Sequence, residues 1–138
     1  GTPKRVSVGL DQNRLALQLA ILHKHSGIST FDQDVFINVV GGIKVSETAS
    51  DLVVMLSIVS SLRDKVIPNN WIAFGEVGLT GEVRPVYNAQ ERLSEAQKQG
   101  FEVAIIPKGN HPKKSIKGLK IVSVGYLYQA IQYLLENS

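Results

Sequence analysis

Ser46 and Ser50 are the residues whose placement most suggests a nucleophile. Both stand at the entry to an apolar run that reads as a buried helix, where backbone amides would stabilise an oxyanion. A serine hydroxyl needs a base within hydrogen-bond reach before it attacks a carbonyl, and Lys44 is the nearby candidate. The competing account is structural: Ser46 or Thr48 caps the helix, with Glu47 and Asp51 favourable near its positive end. Carboxylate pairs are few; Glu76 and Glu82 flank a turn that would bring them close. General acid/base work would require surroundings that drive their pKa values apart; the alternative is a structural role in the turn. His23 and His25 are two apart on a predicted helix and point to different faces, so they do not clamp a metal. Gly41-Gly42-Ile43-Lys44 follows a predicted strand, but it lacks the glycine spacing and the Ser/Thr of a Walker-type phosphate cradle. It reads as a strand-exit turn.

A second stretch carries a different chemistry. Residues 107–118, Pro-Lys-Gly-Asn-His-Pro-Lys-Lys-Ser-Ile-Lys-Gly, form a basic loop between two predicted strands. Lys108, Lys113, Lys114 and Lys117, with His111 between them, would hold phosphates without reading sequence. No aromatic residue interleaves, so base stacking is not expected. The plainer account is a solvated loop kept soluble by its charge. Arg5, Arg14, Arg84 and Arg92 are the remaining candidates for phosphate or interface contacts.

The elements that must position these residues follow from periodicity. Residues 4–9 alternate polar and apolar as a half-buried strand does. Residues 12–25 carry Leu15, Leu19 and Leu22 on one helical face, with Asp11 as N-cap and Gly27 as terminator. Residues 34–40 read as a buried strand. Residues 48–63 are apolar nearly all round, which predicts a helix inside the domain. Residues 71–77 and 82–86 are predicted strands joined around Gly78 and Gly81 in a hairpin. Residues 89–99 form an amphipathic helix with Ala89, Leu93 and Ala96 inward. A strand over 102–106, a strand over 119–123 and a helix over 126–136 complete the chain. Strands and helices alternate around one hairpin, which implies an α/β (mixed α+β) domain with a mixed sheet covered by helices.

The bulk numbers fit one domain over residues 1–138, large enough for a real core. Hydrophobic residues make up 43% and charged residues 20%, the balance of a globular chain rather than a disordered one. Cysteine is absent, which excludes a disulfide framework, a thiolate nucleophile and cysteine-based metal sites. The net charge of +3 permits a polyanionic partner without demanding one. No apolar run approaches the roughly 20 residues that span a membrane, and residues 1–9 do not read as a signal peptide. The only methionine is Met55, so the chain is expected to be a piece of something longer.

Gly75-Glu76-Val77-Gly78-Leu79-Thr80-Gly81-Glu82-Val83-Arg84-Pro85-Val86 resembles a glycine- and proline-punctuated segment of Lon-type proteolytic domains. The segment from Asn38 through Leu52, residues 59–64 and the opening residues 3–15 resemble the bacterial RadA/Sms branch, so the resemblance covers essentially the whole chain. It implies the fold of the second domain of ribosomal protein S5. Lon-type proteases use a Ser–Lys dyad, and the resemblance places Ala49 at the serine position and Gln90 at the lysine position. Alanine has no nucleophile, and a glutamine amide takes no proton from a hydroxyl at neutral pH. A one-residue slip would bring Ser50 to the site and still leave it without the family's base.

The resemblance implies a non-catalytic module of an ATP-dependent DNA repair and recombination protein, cytoplasmic and acting on single-stranded or branched DNA. It further implies assembly into a ring of six and contact with recombination proteins. No cofactor is expected in this domain; ATP, Mg and Zn belong to parts expected before residue 1. Lys108, Lys113, Lys114, Lys117, Arg14 and Arg84 are the expected DNA-facing residues. The alternative is a residual serine peptidase using Ser50 or Ser46 with Lys44, which requires an accessible hydroxyl beside the amine.

Overall fold

The computed structural model describes residues 5–8, 21, 35–38 and 48–138. Apart from Ile21, which is helical and buried, the predicted helix over 12–25, the histidines His23 and His25, the turn at 41–44, and Arg14, Lys44 and Ser46 lie outside the described residues. Strand β1 (Arg5–Val8) pairs in parallel with β2 (Val35–Asn38). A short 3-10 turn (Thr48–Ser50) leads into helix α1 (Asp51–Arg63). Then come β3 (Trp71–Ala73), β4 (Glu76–Val77), β5 (Val83–Arg84) and helix α2 (Ala89–Lys98). Strand β6 (Val103–Pro107), a 3-10 turn (Lys108–Asn110), β7 (Lys120–Val124) and helix α3 (Leu127–Asn137) end the chain.

The mixed α/β architecture expected from the element order is present, with a parallel sheet and covering helices. The described strands form three hydrogen-bonded units rather than one sheet: β1-β2, the parallel β3-β6-β7, and the antiparallel hairpin β4-β5. Residues 71–77 do not form the single strand their apolar pattern predicts. Their pairing breaks at Phe74-Gly75, because the N–H and C=O of Gly75 turn away from the sheet to bond Ala49 and Leu52. Gly75 adopts φ +152, a conformation sparsely open to L side chains. A Cβ there would also stand 3.0 Å from Val83 and 3.3 Å from Pro107. The second hairpin strand is likewise shorter than 82–86, since Pro85 has no N–H to continue the ladder.

Helix α1 is the axis of the core. Leu52, Val54, Met55, Leu56, Ile58 and Val59 are all buried and cover the broad inner face of the helix, while the side carrying Ser57, Ser60 and Ser61 is left partly open. It ends at Asp64 in a left-handed conformation, with the Lys65 N–H closing back on the Ser60 carbonyl at 3.0 Å. α3 packs Leu127, Ala130, Ile131 and Leu134 into the same core. On the opposite face of β6, Ala104 and Ile106 meet Phe74, Leu119 and Leu93 of α2 in a second cluster. The alternation of β6 thus divides its side chains between two hydrophobic layers.

Candidate nucleic-acid interface

The site is framed by the hairpin, the loop after β6 and the start of α3. The hairpin turn draws three charged groups together. Arg84 lies 2.9 Å from the Glu82 carboxylate and 3.5 Å from that of Glu76. Thr80 donates its hydroxyl to the other oxygen of Glu82. This hydroxyl, and then the Arg84 guanidinium, hold the Glu82 carboxyl below the ordinary carboxylate range. The folded-back carboxylate lies over Gly78, in space that a side chain there would share. The carboxylate pair is therefore brought together as the sequence suggested, around an arginine and in the structural role. Arg84, an expected DNA-facing residue, already has its charge matched by two carboxylates.

The basic loop is anchored at its root. Asn110 closes a two-point latch on Val86: its Oδ1 accepts the Val86 N–H at 2.8 Å and its Nδ2 donates to the Val86 carbonyl at 3.1 Å. Gly109 lies so close to Pro85 that no Cβ would fit. The His111 Nδ1 meets the Ser123 hydroxyl at 2.5 Å, tying the loop to β7. At the far end the Lys117 carbonyl accepts a hydrogen bond from Gln97 of α2 at 2.7 Å. Gly118, at φ +78, turns the chain back into β7. Lys108, Lys113, Lys114 and Lys117 are all exposed, and none forms an ion pair among the described residues. The backbone is pinned at both ends while four ammonium groups face water.

The dyad positions fall elsewhere. Ala49 is buried at 5% exposure in the 3-10 turn, and its carbonyl accepts the Gly75 N–H at 2.9 Å. Gln90 is exposed in the first turn of α2. Ser50 is 0% exposed and forms the N-cap of α1. A nucleophile must be reached by its substrate, and Ser50 does not meet that condition. Asp51 is buried and accepts the Val77 N–H at 3.1 Å, fastening α1 to the hairpin. Among the described residues no group of three or more His, Cys, Asp or Glu side chains is placed to hold a metal ion. No helix among them is long and apolar enough to cross a membrane.

Sequence reasoning missed two features. One is the Asn110 latch, since an asparagine between Gly109 and His111 reads as ordinary turn composition. The other is the ring pair of Tyr126 and Tyr128, stacked at 5.9 Å between centroids with 17° between planes. Spacing gave no signal for it, since residues two apart on a helix point to different faces; the rings meet because Tyr126 is the extended N-cap rather than a helical residue.

Residues 7–110 match the family described as subunit ChlI of Mg-chelatase, and the chain belongs to that family. Among individual proteins, it is 59% identical over 134 residues to the DNA repair protein RadA of Pseudomonas aeruginosa, covering 97% of this chain and 30% of that protein. It is 57% identical over 129 residues to the DNA repair protein RadA of Escherichia coli, covering 94% of this chain and 28% of that one. The DNA repair protein RadA of Aquifex aeolicus is 47% identical over 133 residues, with 96% and 30% covered. The chain spans about 30% of the length of these relatives.

Proposed function

We propose that this chain is a non-catalytic, Lon-like domain of a RadA-type DNA repair protein that contacts DNA through the loop over 108–117. The repair role is supported by relatives named DNA repair protein RadA that match nearly the whole of this chain. The loss of peptidase chemistry is supported by alanine and glutamine at the two dyad positions, the alanine buried and the glutamine exposed. DNA contact is carried by one observation: four exposed lysines on a loop whose root is latched by Asn110. Such a surface neutralises phosphates, releases counterions and reads no sequence by itself. In this reading the domain also helps assemble a ring of six. ATP, Mg and Zn serve other parts of a cytoplasmic repair protein, which works on single-stranded or branched DNA beside recombination proteins. Arg14 would add to the DNA surface; Arg84 contributes less, its charge being matched.

The test is DNA affinity across a salt series for the wild-type chain and for K113E/K114E. Loss of two phosphate contacts is expected to lower the steepness of the log affinity–log salt plot by about two. An unchanged slope and affinity would remove the loop from the interface.

A further inference from the structure

The start of α3 carries an aromatic surface that the lysine loop does not explain. Tyr126 and Tyr128 stack on one another and yet remain 50% and 53% exposed. Their backbone is held from several sides. The Gln129 Oε1 accepts the N–H groups of Gly125 at 2.7 Å and Tyr126 at 3.1 Å. The Leu127 N–H donates to the Gly81 carbonyl at 2.8 Å, and Glu82 bridges Tyr126 across the hairpin. Two rings are thus displayed on a rigid mount, so little conformational freedom is lost when something stacks on them.

One lysine stands beside this mount. The Lys108 stem runs over Gly125, with its Cδ 3.5 Å from the position of a Cβ there. His111 reaches the same strand end through Ser123. The first turn of α3 holds no acidic side chain. Glu82, the nearest carboxylate in the hairpin, is engaged by Arg84 and Thr80. Exposed rings beside the unpaired Lys108, at the root of the loop that carries the other lysines, match the two parts of a single-stranded nucleic acid, bases with open π-faces and a phosphate chain. In a duplex the bases lie inside the stack and offer no face to a side chain. Beyond the two rings, the large exposed apolar side chains of the hairpin and loop root are Leu79 and Tyr87, a small area for a protein partner.

We propose that Tyr126 and Tyr128 form a stacking platform for unpaired bases of a single strand whose phosphates run to Lys108 and the loop lysines. The inference rests on the DNA-contact reading above and adds a base-dependent component to it. The experiment measures binding of the chain to three probes at fixed salt: oligothymidylate, an abasic deoxyribose-phosphate strand of equal length, and a duplex. Y126A/Y128A is expected to weaken oligothymidylate binding by at least about tenfold, because stacking contributes strongly per base. Binding of the abasic strand and the duplex should stay within about twofold, and the salt slope should not change. Y126F/Y128F, which keeps both rings, should bind oligothymidylate like wild type.

K113E/K114E should instead weaken all three probes together. If it has no effect while the tyrosine variant does, the platform stands and the loop assignment falls. If the tyrosine variant binds oligothymidylate as wild type does, the platform is refuted. Equal weakening of all three probes refutes it too, by pointing to a structural role, as does a wild type that prefers abasic strand. A changed sedimentation coefficient with unchanged DNA affinity would make the rings a protein contact and overturn the proposal.

Discussion

Asn110 ought to control the stability of the domain and of its basic loop out of proportion to its size. Its side chain makes two hydrogen bonds to one partly buried peptide unit, at 2.8 and 3.1 Å. Each such bond contributes about 1 kcal/mol net, and truncation leaves the Val86 N–H and C=O only partly able to reach water. Asn110→Ala should therefore cost about 2 kcal/mol, equivalent to a fall in Tm of roughly 8 °C for a domain of this size. Asn110→Asp keeps the acceptor for the Val86 N–H but sets a second carboxylate oxygen against the Val86 carbonyl. It should be no more stable than the alanine variant. Urea unfolding with an unchanged m-value is the assay, since only then does a shifted midpoint report stability. The alanine variant should also bind DNA several-fold more weakly with the same salt slope, because the same lysines sit on a looser root. A loss below about 0.5 kcal/mol, or an aspartate variant as stable as wild type, would refute the latch.

Three other perturbations test the frame. Gly75→Ala forces a Cβ into φ +152 and to 3.0 Å from Val83, and should cost at least about 2 kcal/mol by chemical denaturation. Leu93 is 0% exposed at the centre of the second core cluster, so Leu93→Ala should cost about 2–5 kcal/mol in the same assay. Glu82 has a lowered folded-state pKa, so its contribution is fully present above the ordinary carboxylate value and lost as pH falls through the lowered one. Glu82→Gln should remove that part of the acid-side decline, read as a flatter plot of stability against pH; an unchanged plot would mean the Thr80 and Arg84 contacts do not persist in solution.

The elements from residue 48 onward were largely legible because their signals are strong and local. The strongly apolar stretch of α1 pointed to the interior, and Gly78 with Gly81 between β-branched residues announced the hairpin. The break between β3 and β4 was not legible. Trp71 to Val77 is a good strand by pattern, and what interrupts it is the demand of the α1 start for backbone partners from Gly75. The basic loop was visible as composition; its latch was not, because Asn110 and Val86 meet only through the fold. No aromatic residue interleaves with the lysines of the loop, as expected; Tyr126 stands near the loop's root through the fold and not through the sequence. Tyr126 comes after β7, and the β6–β7 pairing is what returns it to the loop's root.

The hairpin is finished by residues that come much later in the chain. The Val83 N–H bonds the Gly125 carbonyl at 2.9 Å, and the Gly81 carbonyl receives the Leu127 N–H. During synthesis, β4 and β5 therefore leave the ribosome before the groups that complete them exist. A bond between such distant positions closes only after most of the entropy of ordering the intervening chain has been lost. The turn that presents Leu79 and the mount that presents the tyrosines consequently mature in one late, cooperative step. A nascent chain stalled before α3 would hold the lysine loop, yet would lack the aromatic half of the surface beside it.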